Sequence, residues 1–342
     1  MDEAVAVVLF FGVTAYAVFG GADFGAGFWD LIAGGAEQGK RPRALIDHSI
    51  GPVWEANHVW LVFCLVVLWT GFSEAFASIT LTLFVPLALV AFGIVLRGSS
   101  FAFRKALVKT SQQRMFGAIF AISSVIVPYC MGTIAGAIAS GRVPAGGEAG
   151  DPVDSWINPT SILGGVLAVC AVSYLASVYL IWDARRLDHG PMVEYFRRRA
   201  VAAAIVTGVV AFAGIFVLNA DAEYVFDGLT SRALPLVILS ALCGLGSLIL
   251  LLRDAHRFAR LLAIGAVVSV IWAWGVAQWD YILPESLTIA DAAAPSATLA
   301  TVLVVFGIAA VVVLPSLGLL YVLDQRGLLP GEGIETTPSP TT

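Results

Sequence analysis

The stretch that decides the fold is Gly51–Phe63, "GPVWEANHVWLVF". Its second half opens an apolar run to residue 71, long enough to cross the roughly 30 Å of hydrocarbon in a bilayer. Its first half sets an acid, an amide and an imidazole (Glu55, Asn57 and His58) between two tryptophans, Trp54 and Trp60. Ionisable groups carried into a membrane are costly, and they stay where packing or function needs them.

The same apolar character extends along the chain. Of 342 residues 59% are hydrophobic and 13% are charged, against roughly 25% charged in ordinary soluble domains. Mean hydropathy is +0.89. Strand-like alternation is absent, so helices must satisfy the backbone polar groups in lipid. Nine spans are expected: 4–32, 53–71, 75–97, 114–139, 160–182, 201–219, 233–252, 259–279 and 297–322. The first lacks a basic leader region and a cleavage site, and reads as an anchored helix rather than a signal peptide. The fold class is an all-α integral membrane protein: two four-helix bundles plus one peripheral helix, in one domain over 1–325. Residues 326–342 form a polar, Pro- and Thr-rich tail, expected to be disordered. Cys64, Cys130, Cys170 and Cys243 fall inside apolar stretches without a C-x-x-C pair and read as small core residues.

Charge gives a direction. All but two of the 19 basic residues fall in alternate connections, Arg97 being counted with the one after the third span. The exceptions are Arg142 and Arg232. The positive-inside rule makes the crowded side cytoplasmic, with the N-terminus outside and the C-terminus inside. The opposite loops carry Glu148, Asp151, Asp154, Asp221, Glu223, Asp227, Asp280, Glu285 and Asp291. No connection is long enough for a soluble domain, so function lies in the membrane or with a partner.

Of the 24 acids, three remain within helices: Asp23, Asp30 and Glu55. Asp30 is close enough to the helix end to snorkel. Asp23 lies deeper, in "GGADFGAG", where Gly21 and Gly25 stack on one helix face and let a neighbouring backbone approach. It is either a packing acid bonded to an adjacent helix, or a proton site or part of a cofactor-facing surface. Glu55 in a first helical turn is favoured by the helix dipole. That does not account for Asn57 and His58 following it inward, with His58 at i+3 from Glu55 on one face. Such a series suits a proton entry route. Trp54 and Trp60 read as interfacial anchors.

His58 is the sole histidine expected within the membrane, since His48, His189 and His256 fall in connections. A bis-histidine haem needs two at matching depth, so the chain is a poor haem carrier on its own. A lone histidine is more often a hydrogen-bonded core residue than a ligand. No Cys/His metal cluster, phosphate-binding loop or Ser-His-Asp arrangement can be placed. An ion-coupled secondary transporter would also use intramembrane acids and broken helices. It would show inverted repeats and a midplane site, whereas no persuasive repeat is present and Glu55 lies near an edge. A purely structural scaffold is the third alternative.

"GGADFGAG" and "GPVWEANHVWL" together resemble subunit II of the cytochrome bd quinol oxidases. "RGSSFAFRK" (97–105), "VPYCMGTIAGAIASGRVP" (127–144), "NPTSILGGVLAV" (158–169) and "LPESLTIADAAAPSATL" (283–299) are similar to further family segments, so the resemblance covers about 1–325. It implies a bacterial or archaeal cell-membrane complex that moves electrons from membrane quinol to oxygen and draws protons from the cytoplasm. In such complexes haems b and d and the oxidisable quinol belong to subunit I. Subunit II binds no haem; it stabilises subunit I and contributes a proton path. The acid of the family's W-[DE]-x-N motif is Glu55 here, and its helix 1 acid is Asp23. Some members hold a structural quinone on subunit II beside the motif tryptophan, Trp54, which makes Trp54 and Trp60 candidate quinone or partner contacts. The implied partners are subunit I, membrane quinol, lipids and a small accessory subunit; nothing points to nucleic acid. There are departures: the best-known members carry aspartate at Glu55 and glutamine at His58. The segment before Asp291 lacks a tryptophan that some members have. Glutamate keeps the carboxylate, and His58 adds a group that titrates near neutrality.

Overall fold

The computed structural model describes residues 1–35, 37–50, 54–106 and 110–325, the side chains at 50, 54–56, 104–106, 110–111, 256–257, 321 and 324–325 excepted. The tail expected over 326–342 lies outside the described residues. Helix dominates. The first span is α1 (Asp2–Ala15), a π-helical turn (Tyr16–Gly20) and α2 (Gly21–Leu31) in one continuous rod. Then come α3 (Lys40–Ile50), α4 (Trp54–Gly71), α5 (Ser73–Thr82), α6 (Phe84–Ala106), α7 (Thr110–Ala139), α8 (Pro159–Arg186), α9 (Gly190–Asp221), α10 (Glu223–Thr230), α11 (Leu234–Leu252) and α12 (His256–Ala277). A two-stranded antiparallel hairpin, β1 (Tyr281–Leu283) and β2 (Leu287–Thr288), leads through α13 (Ile289–Ala292) into α14 (Ser296–Gln325).

Among the described residues eight helices are long and apolar enough to cross a membrane. One helix pair, 57–71 with 73–82, is apolar enough only when taken together and is bent by 118°, so the count is eight crossings, or nine where the pair forms one broken span. The helices follow the expected spans with one correction. The stretch 75–97 is not a single helix: α5 and α6 divide it at Leu83. The bend before α5 falls at Phe72 (φ −140°, ψ 60°), whose fully buried ring packs with Val5, Ala75 and Leu283 at the end of the molecule bearing the acidic connections. Pro86 sits in the first turn of α6, where a missing backbone N–H costs nothing. Strand structure, absent from the sequence reading, is confined among the described residues to the short hairpin.

Packing runs in sequence: α6 on α7, α7 on α8, α8 on α9, α11 on α12, and α12 back onto α8. Helix 1 lies in the angle between α7 and α8. Two crossings need glycine. A Cβ on Gly25 of α2 would fall on the Val172 carbonyl of α8, and one on Gly132 of α7 would meet the Gly164 backbone of α8. Gly25 thus does what its sequence setting suggested, admitting a neighbouring backbone. The last span, α14, touches α4 and α1 and is otherwise bare: only 6% of its apolar window is buried, against 61% for the first span.

At the acidic end the connection 140–157 is laid across α5. Glu74, Ser78 and Thr82, one helical turn apart on a single face, accept hydrogen bonds from the backbone N–H groups of Gly146, Gly147 and Gly150 at 2.8, 3.1 and 2.9 Å.

Candidate functional site

The buried charges gather where helix 1, α4, α6 and α7 meet. The π-turn begins the site. Gly21 N–H bonds the Tyr16 carbonyl five residues back, and such a wide turn often marks a functional place in a helix. Asn57, 3% exposed in α4, donates from Nδ2 to the Asp23 carboxylate at 2.5 Å and to the Phe19 carbonyl at 3.3 Å. One amide thereby ties α4 to both the π-turn and α2.

Arg97 completes the cluster from α6. It is 2% exposed. Its Nη2 donates to the Asp23 backbone carbonyl at 3.0 Å and its Nε to Ser124 Oγ of α7 at 3.1 Å. The guanidinium lies between the rings of Phe24 (4.8 Å) and Phe120 (5.0 Å). Ser124 Oγ in turn donates to the Phe120 carbonyl at 2.7 Å. An acid and a base are thus buried together, bridged by the peptide of Asp23 rather than by a direct contact of opposite charges. Burying either charge alone would cost several kcal/mol.

The sequence reading missed Arg97, which it placed in a connection beyond the membrane. The cause is the divided third span. With α6 beginning at Phe84, residue 97 lies about 20 Å along the helix at about 1.5 Å per residue, packed between α2 and α7 rather than in a connection. Pro86 was the available signal. Asp30 is corrected too. It does not snorkel: it is 4% exposed and takes a 2.7 Å bond from Arg43 Nε, while Arg43 Nη2 also donates to the Gly34 carbonyl at 2.7 Å.

The remaining candidates separate. His58 is half-buried, its ring 6.1 Å from both Tyr16 and Phe24, which places it beside the Asp23–Asn57 pair. Trp60 is no lipid-facing anchor. It is 7% exposed, edge-on to Phe11 (5.8 Å) and Phe63 (6.2 Å). With Phe19, Asn57 and Leu314, Leu317 and Gly318 of α14, Trp60 lines a cavity of about 190 Å³. The side chains of Trp54 and Glu55 lie outside the described residues; their backbone opens α4, one turn before Asn57 and His58. Among the described residues no three His, Cys, Asp or Glu side chains are grouped to hold a metal ion, and the four cysteines are free thiols.

A bundle of membrane-crossing helices with an acid, an amide and an arginine sealed at its centre defines a multi-pass membrane protein with an intramembrane polar site. The model of the family described as cytochrome bd terminal oxidase subunit II matches residues 1–324, and the chain belongs to that family. It is 26% identical over 227 residues to cytochrome bd ubiquinol oxidase subunit 2 of Bacillus subtilis, a match covering 65% of this chain and 64% of that protein. With cytochrome bd-I ubiquinol oxidase subunit 2 of Escherichia coli K12 it shares 26% over 223 residues, 61% of this chain and 55% of that one. The matched stretches therefore span somewhat over half of these relatives. In fold it resembles a chain of the bd oxidase from Geobacillus thermodenitrificans, with a TM-score of 0.74 at 22% identity over 94% of this chain and 98% of that one.

Proposed function

We propose that this chain is the haem-free subunit II of a quinol:oxygen oxidoreductase, a respiratory terminal oxidase. In this reading it stabilises a haem-bearing subunit I and carries protons from the cytoplasm toward the site of oxygen reduction. The observation that carries the proposal is the sealed Asp23–Asn57–Arg97 cluster, directly inward of Glu55 in α4. Glu55 takes a proton from cytoplasmic water. Asn57 and His58 orient the hydrogen-bonded chain, and Asp23 holds the proton before it passes to the partner. Buried Arg97 keeps a negative Asp23 from being stranded in lipid between transfers. The arginine-rich end faces the cytoplasm, with the N-terminus outside. The cavity beside Asn57 and Trp60 suits the apolar part of a structural quinone or a lipid chain, since Phe19, Trp60, Leu314 and Leu317 are among its six lining residues.

One observation favours the scaffold reading: the same hydrogen bonds tie helix 1 to α4, α6 and α7, as a purely structural polar clamp would. Purification separates the larger alternatives. Subunit II drawn from native membranes is expected to bring a partner whose absorption bands are those of b- and d-type haems. A colourless chain that purifies alone from intact membranes overturns the oxidase assignment. Within an assembled complex, Glu55→Gln then separates proton path from scaffold: a loss of oxygen-reducing turnover of about a hundredfold is expected for a lost proton-transfer group, and unchanged turnover removes Glu55 from the path.

A further inference from the structure

Tyr16 is a buried phenol whose side chain takes no part in the hydrogen bonds of the Asp23–Asn57–Arg97 cluster. It opens the π-turn, seven residues before Asp23, or about 10 Å of helix at 1.5 Å per residue. With the N-terminus outside, Tyr16 lies further along the route from the cytoplasm than Asp23 does. The residue is 9% exposed, and its hydroxyl oxygen, sealed from solvent, has no hydrogen-bond partner among the described residues. A hydroxyl buried in this way gives up its bonds to water without replacement. Packing alone would be served by phenylalanine.

The position of the ring gives the hydroxyl a use. The ring lies against Gly20, one turn nearer to Asp23. A Cβ on Gly20 would stand 2.9 Å from Tyr16 Cε2 and 3.5 Å from Cζ, the carbon that bears the hydroxyl. Glycine at 20 therefore makes the room that the phenol occupies beside the cluster. There its ring is edge-on to Phe24, with centroids 6.4 Å apart, and 6.1 Å from the ring of His58. It stands close enough to Asp23 and Arg97 to feel both charges. It shares an apolar cluster with Phe24, Val90 and Val127, which offers the hydroxyl no bond. A phenol can accept one hydrogen bond while donating another, which is what handing on a proton requires.

We propose that the Tyr16 hydroxyl is the next proton carrier after Asp23. The inference rests on the proton-path reading above and extends it by one group. The step is an exchange through one ordered water. The Asp23 carboxylic acid gives its proton to that water, and the water gives one of its own to the phenol oxygen. The phenol releases its hydroxyl proton outward to a second water. Three O–H bonds break and three form, and no electron moves. The phenol is neutral before and after, and Asp23 is left as the carboxylate that Arg97 balances.

The test uses the assembled complex, with an unaltered haem spectrum as the sign of assembly, and reads proton uptake after an oxygen pulse. Tyr16→Phe removes an oxygen that makes no bond within the chain. The melting temperature should therefore hold while uptake falls about a hundredfold. Gly20→Ala displaces the ring but keeps the hydroxyl, and should slow uptake in the same direction. Adding Tyr16→Phe to Asp23→Asn should cost nothing beyond Asp23→Asn alone, since two groups in one series fail together. A further loss in the double variant overturns the proposal, as does wild-type uptake in Tyr16→Phe while Asp23→Asn is slow; in that second case the path stands without Tyr16. Wild-type uptake in both single variants overturns the path reading as well. Infrared difference spectra of the unaltered complex, carrying ring-labelled tyrosine, guard against a variant that fails to assemble. Tyrosine bands should change during turnover, and silent tyrosine bands overturn the proposal.

Discussion

The first and last membrane helices are both strongly apolar, yet they live in different surroundings. In the first span 61% of the apolar window is buried in protein; in α14 only 6% is. The first span carries Asp23, Asp30 and a run of glycines; it packs on α4, α7 and α8, and Arg97 reaches it from α6. α14 carries Val304, Val305, Ile308, Val311 and Val312, all largely exposed. In lipid, apolar side chains gain little by touching one another, so apolarity identifies a span without saying what it touches. Small residues and buried polar groups tell the two cases apart.

The largest break in that contrast comes from removing half of the buried charge system. Arg97→Met leaves the Asp23 carbonyl and Ser124 without their donor and the Asp23 carboxylate without its counter-charge. A loss of about 3–5 kcal/mol is expected, seen as failed assembly or a large fall in the melting temperature of the purified complex. A melting temperature like that of wild type would mean that the guanidinium does not balance Asp23.

Next comes the close contact of backbones. Gly25→Ala places a methyl on the Val172 carbonyl and should cost about 1–3 kcal/mol through forced separation of α2 and α8. Gly307→Ala in α14 meets nothing within 4 Å and should stay within about 0.5 kcal/mol of wild type. Thermal unfolding of the two variants side by side sharpens the comparison, and equal effects would erase it.

A smaller effect is expected where the 140–157 connection crosses α5. Glu74→Ala removes the acceptor for Gly146 N–H and should cost about 1 kcal/mol, read as faster hydrogen exchange at Gly146. The smallest lies at Asp151. Its carboxyl is held below the usual range by hydrogen bonds from the N–H groups of Asp154 and Val153. A lowered value means that this ordering is present above the unfolded carboxyl's pKa and fades as pH falls through the folded one. Exchange at Val153 and Asp154 should therefore show extra opening at acid pH that Asp151→Ala, which has no side-chain acceptor, already displays at neutral pH.

Much of this molecule could be read without coordinates, because a bilayer leaves so few options. The run of membrane-length helices, Asp23 as a buried acid, Gly25 as a contact point and Asn57 and His58 as inward polar groups all followed from composition and spacing. The failures share one cause. Arg97, Asp30 and Trp60 were placed by counting residues from the ends of assumed straight spans, and depth in the membrane is not sequence distance. The division of the third span at Leu83 moved Arg97 inside. A partner 13 residues away, Arg43 for Asp30, kept a carboxylate buried that counting had sent to the surface. Trp60 faces inward because Phe11 and Phe63 surround it, a tertiary fact with no local signature.

The central claim is that the buried cluster moves protons rather than only clamping helices. Asp23→Asn tests it most directly, since asparagine keeps the shape and an oxygen acceptor for Asn57 but cannot hold and release a proton. In an assembled complex with an unaltered absorption spectrum, oxygen-driven proton uptake should fall about a hundredfold. Proton uptake at the wild-type rate in that same complex would contradict the account and leave the cluster as a structural clamp.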